Sequence, residues 1–431
     1  MTDQTRPPSV PDNGSNGAHR TMLVIDSSYT YEAITQRGLQ KSVTCRDLDG
    51  FFDHVWTVHP FASLVTSPSW APRYGAEQSY EVAERHTFIE GKVGLSHRLA
   101  RLFPVNFLFG QIRLYLQLRR LVKEQKVSVI RAGDPLYLAL LGLAVSRSTG
   151  VPLLVRVGSN NDKIYQTTGK PIIPRLMRWR WVEKIVERFV LSRADLVVGA
   201  NQDNLDFALA NGARPEASTL FRYGNLLDRR HFVPPSERPV DRATMEELGL
   251  EPGKFLLYIG RLEAVKHPDD VIRTLAHVRS RGHDVKAVLA GDGRMREQLD
   301  VLAEELGVAD HLVMPGNRSQ DWLVNAIGLA AVVVSPHTGR ALSEAALGAA
   351  PVVAYDVDWQ AELIETGVTG MLVPHNDAAG MGSATEAMLA DRDLAHRMGD
   401  NLRRRALDML DPEKLDQHER DYYLMLIGQR R

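Results

Sequence analysis

FLLYIGRLEAVKHPDDVIRTLAHVRSRG (255–282) opens on an apolar run, breaks at Gly260, and continues with apolar side chains returning every three or four positions. A continuous apolar run suits a strand buried on both faces, and the 3.6-residue repeat suits a helix packed against it. The unit is therefore strand, loop, helix, the repeating piece of a parallel α/β sheet. Its loop carries Arg261 and Lys266, at the carboxyl end of the strand, where such sheets bind ligands.

The same alternation fills most of the chain. Strand-like runs precede it at TMLVID (21–26), HVWTV (54–58), VSVIR (127–131), PLLVRV (152–157), DLVVGA (195–200) and STLFRY (218–223). Others follow at VKAVLAG (285–291), HLVMPG (311–316), AAVVVSP, PVVAYD (351–356) and GMLVP (370–374). The segment 224–254 interrupts them; it is charged and contains four prolines, the composition of a linker. The reading is α/β: a polar disordered tail (1–20), a Rossmann-like domain (21–224), a linker (225–253) and a second Rossmann-like domain (254–410). A helix over 411–431 is placed to pack back on the first domain. Two doubly wound sheets would face each other across a cleft.

The 431 residues suit two or three domains. Net charge is −1, so bulk charge names no partner. The single cysteine, Cys45, excludes an internal disulfide and a cysteine-based metal site, and suits a cytoplasmic protein. No apolar run reaches membrane-spanning length, and the N-terminus has no signal-like apolar core. The histidines lack the spacing of a zinc hydrolase.

Two readings of Arg261 and Lys266 compete on residues alone: ordinary surface cations, or ligands for a phosphate. A second loop lies between AAVVVS and a helix expected from about Ala341. The N–H groups of Thr338, Gly339, Arg340 and Ala341 would face an anion at that helix start. Glu344 is expected in the first turn, either favoured there by the helix dipole or accepting sugar hydroxyls.

The ordered set YIGRLEAVKHPDDVI, VLAGDGRMREQL, LGVADHLVMPGNRSQDW and VVVSPHTGRALSEAALGAAPVVAYDVDWQAELIETGVTGMLVP resembles the donor-binding domain of family-four glycosyltransferases, the retaining GT-B enzymes. The likeness covers about 253–375, and VIRAGDPLYLALLGLAVSRSTGVPLLVRVGS extends it more faintly into the first half. It implies a nucleotide-sugar donor, with Arg261 and Lys266 on the diphosphate and Glu344 on the ribose. Gly316 and Asn317 would border the base. Gly260, His337, Thr338, Gly339, Arg340, Ala341 and Leu342 complete the implied donor set. No cofactor and no metal are implied, so the DVD run (356–358) is set aside as a metal motif.

The chain departs from that family in three places. Pro336 stands where a first glutamate usually contacts the donor sugar, leaving His337 or Thr338 to replace it. RAGDP (131–135) lacks the usual histidine, and DSSYTYE (26–32) replaces a glycine-rich loop. Arg131, Asp134 and Ser159 are the acceptor-side candidates. The expected activity is sugar transfer to a glycan or lipid-linked acceptor in bacterial surface polysaccharide or glycolipid synthesis. A GT-B-shaped scaffold without catalysis and a nucleotide-sugar epimerase are the rivals.

Residues 101–200 hold 17 Lys or Arg against 6 Asp or Glu. RLARLFPVNFLFGQIRLYLQLRRLVKEQK and KPIIPRLMRWRWVEKIVERFV combine these cations with apolar residues at helical spacing. They read either as helices packed on the sheet or as a peripheral contact with the inner face of an anionic membrane. In the second reading Arg175, Arg178 and Arg180 would face headgroups, with Trp179 or Trp181 entering the interface. No nucleic-acid motif accompanies the charge.

Overall fold

The computed structural model describes residues 19–36, 38–63, 70–222, 227–238, 245–246, 248–337, 339–357 and 359–428. The expected tail falls almost wholly outside these residues, as do Thr338 and Asp358. The chain forms two compact units, Met1–Tyr223 with Glu413–Arg431, and Gly224–Pro412.

In the first unit, strands β1 (Thr21–Ile25), β2 (His54–His59), β3 (Gln78–Ala83), β4 (His86–Glu90), β5 (Val129–Ala132), β6 (Leu153–Val157), β7 (Leu196–Gly199) and β8 (Ser218–Leu220) form one sheet. Their order is β3-β4-β2-β1-β5-β6-β7-β8, parallel except for the β3–β4 edge pair. The helices are α1 (Tyr31–Gln36), α2 (Lys41–Thr44), α3 (Phe103–Glu124), α4 (Tyr137–Thr149), α5 (Asn161–Thr168), α6 (Arg180–Leu191) and α7 (Gln202–Ala210). In β1 the side chains alternate between two cores. Leu23 and Ile25 pack with Leu114, Leu138 and Val190 of α3, α4 and α6. Met22 and Val24 pack with Phe52, Phe221 and Tyr423. Covering both faces explains the unbroken apolar strand.

The second unit has β9 (Phe255–Ile259), β10 (Lys286–Ala290), β11 (Leu312–Gly316), β12 (Val332–Ser335), β13 (Val352–Asp356) and β14 (Met371–Pro374), ordered β11-β10-β9-β12-β13-β14 and parallel throughout. Its helices are α8 (Pro268–Ser280), α9 (Arg296–Glu305), α10 (Gln320–Leu329), α11 (Arg340–Leu347), α12 (Gln360–Leu363), α13 (Ala378–Ala390) and α14 (Arg392–Leu410). Phe255 and Leu257 face α10, α11 and α14, while Leu256 and Tyr258 face α8, α9 and α13. The terminal helix α15 (Pro412–Gly428) places Tyr422, Tyr423 and Leu426 in the core beneath β1 of the first unit.

Two expectations change. The described part of 225–253 is not a loose linker: Leu227, Met245 and Leu250 enter the second unit's core, and His231 is fully buried. Arg180 does not face outward either. At the first turn of α6 it is buried, bonding Glu187 through both terminal nitrogens at 2.8 Å and Glu183 at 3.1 Å. Both carboxylates are fully buried, so the guanidinium turns inward to compensate them.

Candidate functional site

In the second sheet the chain winds outward from β9 through β10 and β11, and outward the other way from β12 through β13 and β14. The crevice between β9 and β12 is the topological switch point, where α/β sheets bind ligands. Gly260 leaves β9 and donates from its N–H to the Ala290 carbonyl at 3.1 Å. The Tyr258 hydroxyl donates to the Arg261 carbonyl at 2.9 Å. Leu262 donates to Asp292, and Met295 donates back to Leu262, each at 3.0 Å. The GDG turn (291–293) is therefore the backing of the cationic loop. A Cβ on Gly291 would sit 1.8 Å from the Gly260 carbonyl oxygen, and one on Gly293 2.3 Å from that of Leu262. So fixed, the loop leaves Arg261 exposed and Lys266 half-buried.

Lys266 Nζ lies 3.2 Å from His337 Nδ1, which follows β12. The two loops of the switch point thus meet through these side chains. A lysine ammonium only donates, so Nδ1 accepts and the imidazole carries its proton on Nε2. Helix α11 begins at Arg340. Helical geometry leaves the N–H groups of Arg340 and Ala341 without intrahelical partners at this crevice.

Glu344 is the fifth residue of α11, beyond the expected first turn, so a dipole role is weak. It is 2% exposed, and Arg340 Nε approaches its Oε1 at 2.9 Å. The Arg340 side chain is more than half exposed and covers the carboxylate from outside. From inside, His231 Nε2 lies 3.9 Å from the same oxygen and 2.8 Å from Gln320 Oε1. Burial holds His231 below the ordinary histidine range, against the opposing pull of Gln320 and Glu344. Leu342 is corrected: its side chain is fully buried in the core and its N–H turns to the Gly339 carbonyl at 3.3 Å, so it offers a donor nothing.

Gly316 ends β11 with φ of 76°, and exposed Asn317 follows. Beside them a cavity of about 350 Å³ is lined by Asn317, Arg318, Ser319, Trp322 and Asn325. Arg318 stacks over Trp322 at 5.8 Å. Gln320, between the lining residues Ser319 and Asp321, touches His231, so the segment beside the cavity connects to Glu344 through one imidazole.

The first unit's switch point lies between β1 and β5. Arg131 is engaged within the unit: it bonds the Tyr423 hydroxyl at 3.1 Å and approaches Glu419 at 3.7 Å, which anchors α15. Asp134 is also spent locally, since its Oδ1 accepts from Leu136 at 2.8 Å and Leu138 at 3.3 Å at the start of α4. Burial lifts its carboxyl to about 7. Ser159 stays exposed beyond β6, bonded to Asn161. The residue that does sit at this switch point is Asp26, paired with Arg46 and bonded by Ser28. A Cβ on Gly133 would lie 3.3 Å from Asp26 Oδ1, so Asp26 borders the place where a histidine is missing.

Residues 241–405 match the family Glycosyl transferases group 1. Alpha-D-kanosaminyltransferase of Streptomyces kanamyceticus is 29% identical over 60% of this chain and 66% of its own length. The GDP-mannose-dependent alpha-(1-6)-phosphatidylinositol monomannoside mannosyltransferase of Mycolicibacterium smegmatis is 27% identical over 84% of this chain and 89% of its own. The family match lies within the second unit and covers less than half of the chain. The chain spans slightly under two thirds of the first of these relatives. The two parallel-sheet α/β units have the GT-B fold. Anabaena HepE in complex with UDP and glucose superposes with a TM-score of 0.66 at 16% identity, covering 94% of this chain and 99% of HepE.

The described residues include one cluster of potential metal ligands, His267, Asp269 and Asp270, with ligand atoms within 4.8 Å of one another. Asp270 already accepts from the Tyr355 hydroxyl at 2.7 Å. Sequence reasoning missed His231, hidden in a charged proline-rich stretch, and Asp26 with Arg46. An acidic residue ending the first strand was the available signal for Asp26.

Proposed function

We propose that the chain transfers a sugar from a nucleotide-sugar donor to a glycan or lipid-linked acceptor, with retention and without a metal, in bacterial surface polysaccharide or glycolipid synthesis. The observation that carries this reading is the meeting of the Arg261–Lys266 loop with the His337 loop at the β9–β12 switch point. A departing nucleoside diphosphate gains negative charge as the sugar–phosphate bond breaks. The backbone of the Arg261–Lys266 loop, the Lys266 side chain and the start of α11 are held before reaction, so they stabilise that charge with little reorganisation. The leaving phosphate accepts the acceptor's proton on the face where the new bond forms. Glu344 takes the ribose hydroxyls once Arg340 swings outward, and the cavity at Asn317 takes the base. His337 replaces the missing first glutamate at the sugar.

UDP in HepE and GDP-mannose as the mycobacterial relative's donor support a nucleoside diphosphate sugar as the donor class. The acceptor falls to the first unit, near Asp26 and Ser159. No helix among the described residues is long and apolar enough to cross a membrane, which is compatible with work at the cytoplasmic face. Incubation with a nucleotide-sugar panel, with donor hydrolysis as readout, tests the proposal. Release of nucleoside diphosphate from one donor is expected. Binding without release from every donor would instead support a non-catalytic scaffold.

A further inference from the structure

Helix α3 is unusual in being apolar on its outward pole as well as its inward one. Leu114, Leu118 and Val122 pack inward in the core. On the opposite side Leu102, Leu108, Phe109 and Leu116 each leave more than half their surface exposed, and Val105 and Ile112 stand among them. Positions 102, 105, 109, 112 and 116 repeat at three and four residues, so they form one stripe. Leu99, in the turn leading into α3, continues it. A helix apolar all round is normally buried on both sides. Among the described residues nothing covers the outer stripe, and so large an apolar patch marks an interaction surface.

The charges beside the stripe identify what covers it. Residues 97–123 contain Arg98, Arg101, Arg113, Arg119, Arg120 and Lys123, and no Asp or Glu. All six cations are exposed. On a helical projection of α3, Arg119 flanks one side of the stripe and Arg120 the other; Arg113, beside Arg120, is paired with Glu77 at 3.1 Å, and Arg101 lies in the turn before α3. A protein interface of this size would tend to exclude charge from its core and pair it at the rim. An apolar stripe whose edges carry a clear excess of cations, with only Arg113 ion-paired among the described residues, to Glu77, matches a bilayer with anionic headgroups.

A groove beside the stripe extends the match. It measures about 220 Å³ and runs between α3 and α4, walled by Leu108, Ile112, Tyr115, Tyr137, Leu140 and Leu141. Two of its polar side chains bond within the fold: Tyr137 donates to Gln111 Oε1 at 2.8 Å, and Gln111 Nε2 donates to the Pro60 and Lys92 carbonyls. Apart from the Tyr115 hydroxyl, what remains is a hydrocarbon surface suited to a lipid chain. Exposed Trp181, Ile185 and Phe189 of α6 repeat every four residues in the same helical layer.

We infer that the outward face of α3 docks on an anionic membrane, and that the α3–α4 groove receives a hydrocarbon chain of a lipid there. The acceptor class that follows, a lipid-linked one, rests on the transfer reading; the docking does not. The full chain is floated with vesicles of phosphatidylcholine alone or with phosphatidylglycerol, in low and high salt and without donor. Binding is expected only with the anionic lipid and should weaken as salt rises. Arg101→Glu, Arg119→Glu and Arg120→Glu together should lower partition by at least about a hundredfold. Val105→Ser, Phe109→Ser and Leu116→Ser together should abolish it with every cation in place. Far-UV circular dichroism and nucleotide binding by the second unit check that both variants are folded. A photoactivatable phospholipid should label peptides of α3 or α4. Absence of wild-type binding, or binding untouched by both sets of substitutions, overturns the inference. So does self-association that the serine substitutions abolish without vesicle binding, which would assign the face to a second copy. Failure on vesicles leaves the transfer reading standing, because donor hydrolysis is measured without lipid.

Discussion

Lys266 and His337 come from loops after different strands, yet Nζ and Nδ1 stand 3.2 Å apart. The contact aims the ammonium across the switch point. His337→Ala should lower kcat/KM by about three- to tenfold, the scale of one hydrogen bond to a charged group. His337→Asn restores an acceptor and should recover part of the loss. Equal loss in both variants would mean that His337 contributes through its imidazole and not by positioning Lys266.

Glu344 is held between an exposed arginine and a buried, neutral histidine. Glu344→Gln should weaken donor binding with little change in melting temperature, because its partner Arg340 remains solvated. Titration with nucleotide and thermal denaturation separate the outcomes. A large fall in melting temperature with unchanged affinity would make Glu344 a purely structural residue.

Arg180 compensates two carboxylates that have no exposure. Arg180→Met should cost about 3–5 kcal/mol, the cost of leaving buried charge unpaired. Arg178→Glu, on the exposed side of the same segment, should stay within about 0.5 kcal/mol. Urea denaturation of both variants checks the contrast.

Asp134 predicts a pH dependence of stability. Its folded carboxyl lies at about 7, above the unfolded value of about 3.9. The folded state therefore holds the proton more tightly. This contribution is fully present below about pH 4, declines as pH rises, and is lost above about 7. Asp134→Asn keeps an oxygen to cap α4 but cannot ionise. Its stability gain over the wild type should grow between about pH 4 and 7 and then level off. A gain that is constant across that range would contradict the assignment.

The parallel sheets were legible because their strands, covered on both faces, carry unbroken apolar runs such as FLLYI and MLVI. The β3–β4 edge pair was not, since β3 is mostly exposed and reads as the polar string QSYEVA. Arg261 and Lys266 were legible because a loop after a central strand has few places to go. Arg131 and Arg180 were misread for one reason: sequence shows a cation but not the buried partner that turns it inward. The stretch 225–253 misled similarly. Its prolines suggested a linker, while Leu227, Met245 and Leu250 contribute to the core.

The central claim is that Arg261 and Lys266 hold a nucleoside diphosphate. Calorimetric titration of UDP and GDP into the wild type, Arg261→Ala and Lys266→Ala tests it most directly. One nucleotide should bind the wild type, and each substitution should weaken it by at least about tenfold while the melting temperature of the free protein stays unchanged. Equal affinity in all three proteins would contradict the claim.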